Sequence, residues 1–184
     1  MTILQSLEKM SGYLDKDSSD DDAGPLDPEQ LEMATAEALA QKDVGNEAFK
    51  SGDYDGALEA YTAAVNVLKA AHCKQDPLIL LNRSATYLAL KRYVPALYDA
   101  NQAGEIDPNN WKAHWRQGLA LGGMARKSFR AKQAVAAFTK CAVCETLPES
   151  KKAEVNAALQ KARQVMQAID DATPMPDMSN CMPS

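Results

Sequence analysis

The sequence predicts an all-α protein built from helix pairs that stack on one another. Ala is abundant among the 184 residues, whereas Val, Ile and the aromatic residues are sparse, and this balance favours helices over strands. Apolar residues recur at helical spacing in successive segments, which are separated by short turns. Small residues recur at a fixed distance from one segment pair to the next, which indicates an internal repeat.

The first helix has clear signals at both ends. Asp27 is a candidate N-cap, Pro28 suits the first helical position, and Gln30 is placed to complete a capping box. Gly52 is predicted to end this helix in the left-handed conformation, and a second helix follows from about Tyr54. Five further helices are predicted, over residues 76–90, 93–106, 110–123, 128–145 and 149–170. Because the connections are short, neighbouring helices should pack antiparallel.

The repeat becomes visible when the helix pairs are aligned on their small residues. Ser84 and Gly118 are 34 positions apart, whereas Gly45 and Ser84 are 39 apart. A longer second helix and the loop at 71–77 account for the additional residues of the first unit. The third unit carries four inserted residues, which we place within 122–128. Small residues let two helices approach closely, and three stacked pairs bury the apolar faces that one pair leaves exposed.

Over roughly residues 38–147 the sequence resembles the tetratricopeptide-repeat family, whose unit is 34 residues long. The resemblance implies a right-handed α-solenoid of three repeats with a C-terminal capping helix. The predicted parts are an acidic, disordered tail at 1–26, the repeat domain at 27–147, the capping helix at 148–171 and a flexible tail at 172–184.

The charge distribution narrows the possible partners. The first 30 residues carry eight acidic and two basic side chains, so the rest of the chain is close to neutral within a net charge of −5. A near-neutral repeat domain does not indicate a nucleic-acid surface. No apolar run approaches the roughly 20 residues that span a bilayer, and the N-terminus does not resemble a secretory signal. We therefore expect a cytoplasmic protein that binds neither nucleic acid nor membrane.

The four cysteines are predicted to be free thiols in that reducing compartment. They are Cys73, Cys141, Cys144 and Cys181. Cys141 and Cys144 form a single C-x-x-C, but a metal site would need a second pair or nearby histidines. Cys141 also occupies a small-residue position of the third repeat, which favours a packing role. No metal or cofactor is predicted.

Five polar residues stand out on the first helices of the repeats, the helices expected to line the concave face. They are Lys42, Asn46, Asn82, Lys112 and Arg116. Lys42 and Asn46 are four residues apart and share one helix face, as do Lys112 and Arg116. Asn82 holds the repeat position that Arg116 holds in the third unit. The five side chains are therefore expected to converge on one wall of the groove.

This set resembles the two-carboxylate clamp of chaperone-binding tetratricopeptide domains. The matching strings are Lys42-Asp-Val-Gly-Asn46, Leu81-Asn82-Arg83-Ser84-Ala85 and Lys112-Ala-His-Trp-Arg116. The resemblance implies a co-chaperone or adaptor that binds the C-terminal Glu-Glu-Val-Asp tail of ninety- and/or seventy-kilodalton heat-shock chaperones. It also implies that Ala85 leaves room for the penultimate Val. Phe49 and Trp115 are placed to contact upstream peptide residues.

The residue types suit that chemistry. A C-terminal Asp presents two carboxylates, which Lys and Arg bind with charge-assisted hydrogen bonds, while Asn adds donors without charge. The alternative is a scaffold that binds another protein through its groove or convex face. No catalytic constellation is present in the sequence, so no enzymatic activity is expected.

Overall fold

The computed structural model describes residues 27–172, in which seven helices and no strand are found. In chain order the helices are α1 (Pro28–Ser51), α2 (Tyr54–Ala70), α3 (Pro77–Ala89), α4 (Tyr93–Ile106), α5 (Trp111–Gly123), α6 (Ser128–Ala142) and α7 (Glu149–Ala172). The predicted tail at 1–26 lies outside the described residues. So does the predicted tail at 172–184, except for Ala172, which is the last residue of α7.

Side-chain caps fix where the helices of the first repeat begin and end. The backbone N–H of Gln30 donates to Asp27 Oδ1 at 2.8 Å, and the N–H of Asp27 donates back to Gln30 Oε1 at 3.3 Å, so the predicted capping box is confirmed. Gly52 ends α1 with a φ of 84°, a conformation that glycine adopts without strain. Asp53 then caps α2 by accepting from the N–H of Gly56 at 3.0 Å.

The helices pair as α1 with α2, α3 with α4 and α5 with α6, while α7 packs on α6. Contacts also join α1 to α3 and α3 to α5. Within residues 27–172 no comparable contact joins α2 to α4 or α4 to α6. The first helices of the three units are therefore closer together than the second helices, which places them on the inner side of the stack.

In two of the helix pairs, a glycine on one helix faces an aromatic ring on the other, and this contact lets the two helices approach closely. A Cβ on Gly45 of α1 would lie 2.7 Å from the ring of Tyr61 on α2, and a Cβ on Gly118 of α5 would lie 2.5 Å from the ring of Phe138 on α6. In the middle pair Ser84 of α3 instead donates its hydroxyl hydrogen to the carbonyl of Ala96 at 2.7 Å. These contacts explain the periodic small residues of the sequence.

A buried ion pair adds a second link within the middle unit. Arg83 of α3 donates from Nε and from a terminal nitrogen to the two carboxylate oxygens of Asp99 on α4, each at 2.7 Å. Both residues are buried, with exposures of 8 % and 1 %. This bidentate geometry orients α3, the helix that carries Asn82.

One predicted boundary was wrong. The sixth helix was expected to reach residue 145, but α6 ends at Ala142. The chain turns there so that Cys144 Sγ donates to the carbonyl of Asn109 at 2.8 Å and the hydroxyl of Thr146 accepts from the N–H of Trp111 at 3.2 Å. The loop thereby satisfies backbone groups next to the first turn of α5, which a longer helix would leave without these partners.

We expect Gly118→Ala to destabilise the protein by about 1–3 kcal/mol, because the new methyl group would overlap the Phe138 ring. Gly122→Ala on the same helix is the matched control, since a Cβ there meets nothing within 4 Å. The control should raise the free energy of unfolding by about 0.5–1 kcal/mol through helix propensity. Urea unfolding of both variants measures the difference, and equal effects would contradict the assigned contact.

Candidate functional site

The structure brings Asn46 and Asn82 into direct contact, although 36 residues separate them in the chain. Asn82 Nδ2 on α3 donates to Asn46 Oδ1 on α1 at 3.0 Å. Both side chains are partly buried at the junction of the two inner helices. Two of the five predicted residues therefore form one hydrogen-bonded unit.

Tyr61 completes this unit, and its role was missed in the sequence analysis. Its hydroxyl donates to Asn46 Oδ1 at 2.8 Å. The residue is 2 % exposed, and burial raises the pKa of the phenol, an effect that a hydrogen bond from Asn82 opposes. Tyr61 thus stays protonated as a donor. The signal available in the sequence was a tyrosine at the position where the third repeat has Phe138.

Lys42 lies one helical turn before Asn46 on α1 and is partly buried, whereas Lys112 is exposed in the first turn of α5. Neither ammonium group forms an ion pair or hydrogen bond within the described part of the chain. Both are therefore available to an anion. Among the described residues no hydrogen bond joins either ammonium group to the asparagine pair.

Arg116 is a partly buried cation for which the described residues provide no counter-ion. Its Nε is fully buried and has no hydrogen-bond partner among residues 27–172. Burial lowers the pKa of the guanidinium, which reflects the cost of holding a charge away from water. A buried donor left without an acceptor costs about 1–3 kcal/mol, so this group is set up to gain from an incoming anion.

No protein-family model matches the chain, but individual proteins and structures do. RNA polymerase II-associated protein 3 of Xenopus tropicalis is 33 % identical over an alignment of 123 residues, and the match covers 65 % of this chain and 17 % of that protein. The match thus spans a small part of the relative's length. The structure of the Sgt2 TPR domain from Aspergillus fumigatus is 30 % identical, with a TM-score of 0.62, and the match covers 81 % of this chain and 92 % of that domain.

The chain belongs to the tetratricopeptide-repeat family. The all-α repeat fold predicted from the sequence is thereby confirmed. A further similar structure is the first TPR of Spaghetti (RPAP3), which is bound to the HSP90 peptide SRMEEVD. It is 26 % identical, with a TM-score of 0.61, and the match covers 72 % of this chain and 95 % of that one.

Of the three residues predicted to line the peptide groove, two pack against other aromatic rings of the domain and the third is a partly buried alanine. The ring of Phe49 packs edge-on against Tyr54, with centroids 5.3 Å apart, and Trp115 packs in the same way against Phe138 at 5.4 Å. Ala85 is partly buried on α3, one turn beyond Asn82. Both aromatic residues therefore have packing partners within the domain, and their contact with a peptide stays a prediction.

Cys141 has a structural environment in the tetratricopeptide domain. It is fully buried and donates from Sγ to the carbonyl of Trp111 at 3.4 Å. Burial, together with the neighbouring Cys144, raises the pKa of its thiol to about 11, so the thiolate is scarce at neutral pH. These observations support the packing role. Between residues 27 and 172 no group of three or more His, Cys, Asp or Glu side chains is placed to hold a metal ion.

We expect Arg116→Met to leave the unliganded protein as stable as the wild type, or to stabilise it by about 1 kcal/mol, because the change removes a buried donor without a partner. Arg83→Met is the matched contrast. It strands the buried carboxylate of Asp99 and should cost about 3–5 kcal/mol. Urea unfolding without peptide measures both, and a large loss for Arg116→Met would contradict the description of Arg116 as an unpaired cation.

Proposed function

We propose that this tetratricopeptide domain is a co-chaperone or adaptor that binds the C-terminal Glu-Glu-Val-Asp tail of ninety- and/or seventy-kilodalton heat-shock chaperones. The observation that carries the proposal is the buried Nε of Arg116, which lacks an acceptor in residues 27–172. The similar Spaghetti (RPAP3) domain, bound to a peptide with this ending, supports the same ligand.

The ligand's two carboxylates call for different partners. In our proposal Lys42, Lys112 and Arg116 supply the positive charge, with Arg116 offering the directional donors that an ammonium group lacks. Asn46 and Asn82 supply neutral donors. Their amide N–H groups can hydrogen-bond to the main-chain carboxylate without adding further positive charge to the site. The packing of α3 against both α1 and α5 supports the convergence of all five residues.

The role we propose is binding without catalysis, in the cytoplasm. In residues 27–172 no helix is long and apolar enough to cross a membrane. The two chaperone families end in the same four residues, so preference between them must come from peptide residues upstream of the clamp. Titration with the longer tails of both families would measure that preference.

The direct test is a titration with a labelled peptide that ends in Glu-Glu-Val-Asp, made once as the free acid and once as the C-terminal amide. We expect the free acid to bind much more tightly, because the amide removes one of the two carboxylates. Affinity should also fall as salt rises, since screening weakens the charge–charge attraction. Fluorescence anisotropy measures both effects.

Lys112→Ala should weaken binding of the free acid by about 2 kcal/mol or more, because the peptide carboxylate would lose a charged partner on a surface that binding desolvates. Lys140→Ala is the control, since Lys140 is an exposed lysine on α6, a second helix on the outer side of the stack. Equal affinity for acid and amide would refute the clamp. It would favour the alternative role as a scaffold for another protein.

A further inference from the structure

We propose that Tyr61, a core residue of the first repeat, is a positioning residue for the carboxylate site, and that its hydroxyl holds the Asn46 amide with the NH2 group presented to the ligand. This inference rests on the proposed function, because it assigns Asn46 the task of donating to a carboxylate. Tyr61 itself is buried, and its hydroxyl donates to Asn46.

The acceptor capacity of Asn46 Oδ1 is filled from inside the protein. This oxygen accepts from the Tyr61 hydroxyl at 2.8 Å and from Asn82 Nδ2 at 3.0 Å. An amide oxygen has two lone pairs, and both are thereby occupied. Asn46 still has its NH2 group, whose nitrogen Nδ2 donates one hydrogen to Asp43 Oδ1 at 3.3 Å. The other hydrogen is left for a ligand.

A flipped amide would reverse this chemistry. With Asn46 rotated by half a turn, its NH2 would face Asn82 and Tyr61, and its oxygen would face the incoming carboxylate and repel it. Asn82 has an amide too and can flip to match, so it does not decide the orientation. Two other groups oppose the flip. The Tyr61 hydroxyl would lose its acceptor on Asn46 and would have to share the Asn82 oxygen, and the Asn46 oxygen would face the Asp43 carboxylate that now accepts from Nδ2.

The third repeat shows that packing alone does not require this hydroxyl. Phe138 lies against Gly118 just as Tyr61 lies against Gly45, and each ring leaves no room for a Cβ on its glycine. The residue after Gly118 is the apolar Leu119, whereas the residue after Gly45 is Asn46. The repeat with an amide beside its glycine therefore has a tyrosine, Tyr61, whereas the repeat with an apolar side chain there has a phenylalanine, Phe138.

Tyr61→Phe removes this one hydrogen bond and keeps the ring. We expect the thermal midpoint to change little, and the affinity for the free-acid Glu-Glu-Val-Asp peptide to fall about three- to tenfold, the equivalent of one neutral hydrogen bond. Tyr98→Phe is the control, because the Tyr98 hydroxyl accepts from Gln102 on an exposed face of α4. The control should bind like the wild type.

A double-mutant cycle separates positioning from a general structural effect. In an Asn46→Ala background Tyr61→Phe should cause no further loss of affinity, because the amide it orients is gone. The same loss in both backgrounds would overturn the proposal. Asn46→Asp gives a second test, since aspartate still accepts from Tyr61 but has no donor. We expect it to bind the peptide more weakly than Asn46→Ala, and the reverse order would also overturn the proposal.

Failure of the clamp and failure of this inference look different. If the wild type does not distinguish the free acid from the amide, the proposed function fails. If the wild type distinguishes them and Tyr61→Phe binds as tightly, only the role of Tyr61 fails. The side-chain amide resonances of Asn46 report its environment without peptide, and we expect Tyr61→Phe to shift them. Unchanged resonances would contradict the inference whatever the peptide result.

Discussion

The domain depends on how closely its paired helices approach. In the first and third units an aromatic ring lies directly on a glycine, so the ring limits how closely the two helices approach. The middle unit uses Ser84, which bonds to a carbonyl of the facing helix, and it adds the buried pair of Arg83 and Asp99. Since α1 packs on α3 and α3 on α5, these crossings determine the arrangement of the inner layer.

The same crossings place the candidate binding residues. Asn46 follows Gly45 directly, Asn82 precedes Ser84 by two positions, and Arg116 precedes Gly118 by two positions. Each side chain is therefore attached to the part of its helix that packing holds most firmly, which is the support that a site needs to be preorganised. Tyr61 takes part in both the helix packing and the candidate site, because its ring packs on Gly45 and its hydroxyl donates to Asn46.

Much of the fold could be predicted from the sequence, and the features that could not be predicted depend on contacts between distant residues. The capping signals at Asp27 and Gly52 act within a few residues, so they located the ends of α1 correctly. The end of α6 depends on bonds from residues 144 and 146 to residues 109 and 111, which no local pattern reveals. The bonds of Asn46 with Asn82 and Tyr61, and the unpaired state of Arg116, follow from distances between helices, so they required the structure.

The proposed carboxylate site depends on Arg116, whose buried Nε–H has no acceptor among residues 27–172 and, in our proposal, gains one from the peptide. The resonance of its Nε–H group measures this directly during titration with a peptide ending in Glu-Glu-Val-Asp. We predict that the free-acid peptide shifts this resonance in a saturable way, as the buried donor gains an acceptor, and that the amidated peptide leaves it nearly unchanged at the same concentration. A peptide that binds tightly while the Arg116 resonance stays in place would contradict the account.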